Sequence, residues 1–193
     1  MGGLVNLQSL INGVAKTRPK NSGIVAVHSA RLTNASDAVA VLCDTSASMA
    51  EIAGSKPRIA HLHEAIDSLA AETVTIAVEF NSIAREFPWR SGVRFSPSGG
   101  TDLAAALCHL RSHRPRRTIV ISDGEPQGEA AALAAAKSIT GRIDVIFVGD
   151  ERNTRARDFL LSLARSTGGT AVSVDLAKLG AAGVAAKVRG YLQ

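Results

Sequence analysis

The chain has 193 residues, which is the size of one domain, and 46% of them are hydrophobic, enough for a core that buries about 70% of the unfolded surface. That excludes an intrinsically disordered chain. It also excludes a disulfide-stapled miniature; Cys43 and Cys108 are the only cysteines and neither falls in a CxxC or other metal-ligand spacing, which reads as a reduced interior. Lys and Arg number 22 against 17 Asp and Glu, a net charge of +5 that favours anionic partners without choosing among nucleic acid, membrane and acidic protein.

Leu4, Leu7, Ile11 and Val14 recur at helical spacing, and residues 24–32 read as a strand before a turn-rich stretch. Residues 1–36 are therefore expected to be an extension packed on a main domain of residues 37–193. The first charged side chain is Lys16, so a basic signal-peptide start is missing, and no run of 18 apolar residues occurs. The expectation is a cytoplasmic, bacterial-type single-domain protein with no membrane partner.

From residue 38 onward, β-branched runs alternate with Ala- and Leu-rich stretches. Strands are predicted at 38–43, 73–80, 84–87, 118–122, 143–149 and 170–174, with helices at 58–71, 102–112, 129–140, 155–166 and 176–192. Most of the strand runs are continuously apolar, as strands covered on both faces must be. The fold class is therefore α/β: a Rossmann-like, mostly parallel sheet with helices on both faces. Only 4% of residues are aromatic, so the core must come mainly from Ala, Val, Leu and Ile, which suits helices packed closely on a sheet.

Three polar clusters stand at or near the carboxyl ends of predicted strands, where loops of open α/β sheets converge on one rim. They are Asp44-Thr45-Ser46-Ala47-Ser48, Gly99-Gly100-Thr101-Asp102 and Ser122-Asp123-Gly124. Asp44, Ser46, Ser48, Thr101 and Asp123 offer two carboxylates and three hydroxyls, all hard oxygen donors. Such a set suits Mg²⁺ or Mn²⁺ rather than zinc. Taken singly, each piece could be a helix cap; their conjunction at successive strand ends points to a metal site.

On these residues the sequence resembles the von Willebrand factor A (VWA) domain family over roughly residues 37–190. The family's metal-ion-dependent adhesion site uses Asp-x-Ser-x-Ser, a Thr and a later Asp, and Asp44-x-Ser46-x-Ser48, Thr101 and Asp123 match all five positions. Ala47 departs from a frequent Gly. The resemblance implies a non-enzymatic module that binds a partner protein through a Glu or Asp carboxylate on the metal. At the level of the family it also implies association with an AAA+ ATPase and a last helix, 176–192, that shifts on ligand binding.

Other features point elsewhere. Glu125 could act as a general base beside Asp123, which would make the chain a metal-dependent hydrolase or phosphotransfer enzyme, but no GxxxxGK loop or G-x-S-x-G elbow accompanies it. The arginines from Arg111 to Arg117 could contact nucleic acid, although no aromatic residue is interleaved for base stacking. His109 and His113 lie i, i+4 on a predicted helix and could share a metal, with no third ligand evident. His61 and His63 read as surface residues, Asp175 as a helix cap, and Trp89 as a loop anchor or rim contact.

Overall fold

The computed structural model describes residues 36–124 and 126–193, so the expected N-terminal helix and strand, and Glu125, lie outside the described residues. Strands β1 (Ser36–Asp44), β4 (Ile76–Phe80), β5 (Ala84–Glu86), β6 (Pro115–Ser122), β7 (Arg142–Phe147) and β8 (Ala171–Ser173) form one sheet in the order β5-β4-β1-β6-β7-β8. Each pairing is parallel except the β4–β5 edge. A two-residue hairpin, β2 (Ile52–Ala53) with β3 (Lys56–Pro57), stands apart from it.

Alternation along β1 explains why both faces are covered. Ala40 and Leu42 join one core with Phe80, Leu107 and Leu160, while Val39, Val41 and Cys43 join the other with Ile59, Ile66 and Val184. The first core is closed by α2 (Leu103–His109), α3 (Glu129–Ser138) and α4 (Thr154–Ser166), the second by α1 (Arg58–Ser68) and α5 (Leu176–Leu192). The molecule is the expected three-layer α/β arrangement. Cys43 is fully buried, and that burial pushes its thiol far above the ordinary range, so it packs as a small hydrophobe.

Differences from the sequence reading have local causes. Residues 73–75 precede β4 because the chain turns there, with Val74 N–H donating to Glu72 O. α2 stops at His109 and tightens into a 3-10 turn, Leu110–Ser112. α5 spans the expected residues but is kinked at Gly180, whose φ of +54° suits glycine. His61, expected at the surface, is 4% exposed; its Nε2 lies 2.9 Å from Ala53 O, beneath Gly180 of α5. Trp89 anchors its loop by donating to Leu69 O at 3.0 Å. Among the described residues, no helix is long and apolar enough to cross a membrane.

Candidate metal centre

Adjacent parallel strands set the two acidic residues side by side. β1 pairs with β6 so that Cys43 lies opposite Ile121; Asp44 then ends β1, and Asp123 follows the last residue of β6. The apolar runs stop at these points, and both acidic residues remain almost fully enclosed, at 0% and 5% residue exposure.

Hydrogen bonds link the two carboxylates. Ser122 Oγ donates to Asp44 Oδ2 at 2.5 Å and Ser46 N–H donates to Asp44 Oδ1 at 2.8 Å. The Ser46 and Ser48 hydroxyls are 3.1 Å apart, and Ser48 Oγ donates to Asp123 Oδ1 at 2.9 Å. The alternate spacing of Ser46 and Ser48 brings both hydroxyls to one side as the chain enters the 3-10 turn Ala47–Ala50.

Thr101 arrives on a neighbouring loop. Ala47 N–H donates to Gly99 O and Ser98 N–H to Thr45 O, tying residues 98–99 to the end of β1, while Gln127 N–H donates to Thr101 O. A Cβ on Gly100 would meet the Gln127 side-chain amide at 2.1 Å, and that exposed side chain would have to move aside to admit it. Thr101 is 8% exposed, but no hydrogen bond joins its hydroxyl to Asp44, Ser46, Ser48 or Asp123. The structure therefore connects four of the five expected residues directly and sets the fifth on a loop laced to them.

Asp102 belongs to the helix instead: its carboxylate accepts Ala105 N–H at 2.9 Å, capping α2. Asp102→Ala should cost about 1 kcal/mol in urea unfolding and leave any divalent-cation response unchanged. An equal loss of that response would make Asp102 part of the centre.

Arg58, the first residue of α1, was not singled out in the sequence. Its Nη1 reaches Asp123 Oδ2 at 2.8 Å, Glu51 Oε2 at 2.6 Å and Ser48 O at 3.1 Å. The 3-10 turn and the β2–β3 hairpin fold the chain back to place it there, and Arg58 N–H donates to Glu51 O. It also lines a cleft of about 390 Å³ beside the centre, bordered by Ile52, Asp150, Glu151 and Asp175.

Electrostatics follow from burial. Enclosure first, and then the charge of Asp123, push the Asp44 carboxyl up to about 6, against lowering by the Ser122 and Ser46 hydrogen bonds. Asp123 is also raised by burial, while Ser48 and Arg58 oppose the rise. Two enclosed carboxylates raised by burial, Asp44 also by the charge of Asp123, with serine hydroxyls beside both and Arg58 on one oxygen of Asp123 only, fit a hard dication: it would relieve the burial penalty and find oxygen donors. The residues present suit Mg²⁺ or Mn²⁺.

No protein-family model matches the sequence. A search of curated proteins found no match. Among solved structures, the chain is similar to the crystal structure of the manganese-loaded TRAP protein of Plasmodium vivax, with a TM-score of 0.57 and 20% identity over 80% of this chain and 72% of that one. At that identity the likeness is one of architecture, and the chain has a VWA-like α/β fold.

Proposed function

We propose that the chain is a divalent-metal-dependent protein-interaction module without catalytic activity of its own. In this reading Asp44, Ser46, Ser48, Thr101 and Asp123 hold Mg²⁺ or Mn²⁺, and a partner protein contributes a Glu or Asp carboxylate. The observation that carries it is the pair of enclosed carboxylates at adjacent strand ends, joined through the Ser46 N–H and the Ser46 and Ser48 hydroxyls. A bound dication would supply a strongly positive point with charge left over for an incoming carboxylate.

The chain's own residues prepare that point. Ser46 N–H and Ser122 Oγ orient the Asp44 carboxylate, while Ser48 and Arg58 hold the two oxygens of Asp123. Neutral hydroxyls among the donors limit the negative charge on the cation, which keeps an acidic side chain attractive as a further ligand. The manganese in the TRAP structure agrees with a hard divalent ion in this fold. We place the module in residues 37–193, with residues 1–36 as an extension. Family resemblance makes an AAA+ ATPase the partner class to test first, in a cytoplasmic setting.

Affinity capture in Mg²⁺ and in EDTA, with wild type and Asp44→Ala, tests the reading. A partner should be retained only by the wild type in Mg²⁺. Equal recovery after chelation overturns it. Mg²⁺-dependent turnover of phosphate esters would replace it with the enzyme reading, and nucleic-acid binding that is steeply salt-dependent yet survives Asp44→Ala would replace it with the basic-patch reading.

A further inference from the structure

A second cluster lies at the other end of α2 from Thr101. His109 closes α2, and His113 follows the 3-10 turn Leu110–Ser112. Their rings stay nearly parallel, 21° apart in plane and 6.1 Å between centroids, so i, i+4 spacing survives the change of helix type. Facing them is Glu86, the last residue of the edge strand β5, set there by antiparallel pairing with Val78 of β4. This is the third group that the sequence did not reveal.

One carboxylate oxygen receives both rings. Glu86 Oε1 is 2.9 Å from His109 Nε2 and 3.3 Å from His113 Nε2, and the three candidate ligand atoms lie within 4.8 Å of one another. Zinc bonds to imidazole nitrogen and carboxylate oxygen are about 2.0–2.1 Å, which puts neighbouring ligands of a tetrahedron about 3.3 Å apart. The His113 separation of 3.3 Å already matches that edge, and the His109 separation of 2.9 Å is about 0.4 Å shorter, so an ion would push that pair apart slightly. The side chains are 34%, 34% and 52% exposed, so small rotations to open room for an ion cost little packing and the cation need not be stripped of all its water. Two imidazoles and one carboxylate select a borderline transition metal over Mg²⁺, opposite to the all-oxygen centre.

We propose that Glu86, His109 and His113 form a surface Zn²⁺ site, separate from the oxygen-lined centre and independent of the function assigned to it. Three protein ligands leave the fourth tetrahedral position to water or to a donor from another molecule, the pattern of an open rather than a closed structural site. α2 joins the two places, with Thr101 before its first turn and His109 at its last residue.

The test is calorimetric titration of untagged full-length protein with ZnCl₂ in millimolar Mg²⁺, repeated in an Asp44→Asn background so that the oxygen-lined centre does not contribute. One equivalent of Zn²⁺ should bind in both. His109→Ala, His113→Ala and Glu86→Gln should each weaken it by at least about tenfold, the scale on which lost ligand support acts in zinc sites. All three side chains are partly exposed, and unchanged urea unfolding would show that each variant remains folded. Co²⁺ in place of Zn²⁺ should give the intense visible bands of a tetrahedral ion, absent from His113→Ala. No saturable binding at micromolar Zn²⁺, or identical titrations for wild type and His113→Ala, would overturn the site and leave the cluster an ion pair only.

Discussion

Asp44→Asn is expected to melt higher than wild type in EDTA at pH 7.5 and to lose its response to Mg²⁺. The folded carboxyl titrates at about 6 against an ordinary 3.8, a difference of roughly 2 units caused by burial and then by Asp123. A carboxyl raised in the folded state binds its proton more readily there than in the unfolded chain. Stability from this group is therefore complete below about pH 4 and falls as pH rises through 6; the charged form at pH 7.5 costs about 3 kcal/mol. Asparagine keeps an oxygen for Ser46 N–H and removes the charge. A gain of about 1–3 kcal/mol corresponds to several degrees in a chain of this length. Dye-monitored melting at pH 5.5 and 7.5, in EDTA and in Mg²⁺, checks both parts. Wild type should be the more stable at the lower pH in EDTA, and Mg²⁺ should help it most at the higher. An Asn variant that melts lower in EDTA would mean that the Asp44 charge is already satisfied by the protein, removing the reason for a cation.

The sequence reads well where local chemistry decides the structure. Strands covered on both faces must be continuously apolar, so the break from Cys43 to Asp44 and from Ile121 to Ser122 and Asp123 marks a strand end and a polar rim together. Asp175 before α5 was equally legible, since its carboxylate accepts Ala177 and Lys178 N–H groups within one turn. Non-local placement is what stayed hidden. Arg58 reads as an ordinary solvated helix residue until two-residue strands, too short for any periodic signal, fold it against Asp123. His61 looks exposed on its own helix because the segment that covers it, around Gly180, lies more than a hundred residues away. Glu86 sits on a three-residue edge strand, and only sheet register brings it to His109 and His113. Thr101 was legible as a loop residue, yet its distance from the other four depends on backbone ties between separate loops.

Arg58→Met should act with the opposite sign to Asp44→Asn. The guanidinium side chain is 10% exposed and the Asp123 side chain 0%, with Nη1 and Oδ2 at 2.8 Å. An ion pair this enclosed contributes little compared with an apolar replacement of both partners, but removing one partner strands the other charge away from water, at a cost of about 3–5 kcal/mol. Methionine preserves most of the apolar stem, so the loss comes chiefly from Asp123 rather than from a cavity. Urea unfolding in EDTA should show it. Mg²⁺ should recover a larger share of stability in Arg58→Met than it adds to wild type, since the cation then neutralises a carboxylate that has lost its arginine. Adding Asp123→Asn to Arg58→Met should restore most of the EDTA stability by removing the stranded charge, while abolishing the Mg²⁺ response. Such non-additivity is expected of groups in one network. An Arg58→Met variant within about 0.5 kcal/mol of wild type, the range of ordinary surface substitutions, would show that Asp123 does not depend on Arg58 and that its charge is held by the serine hydroxyl alone.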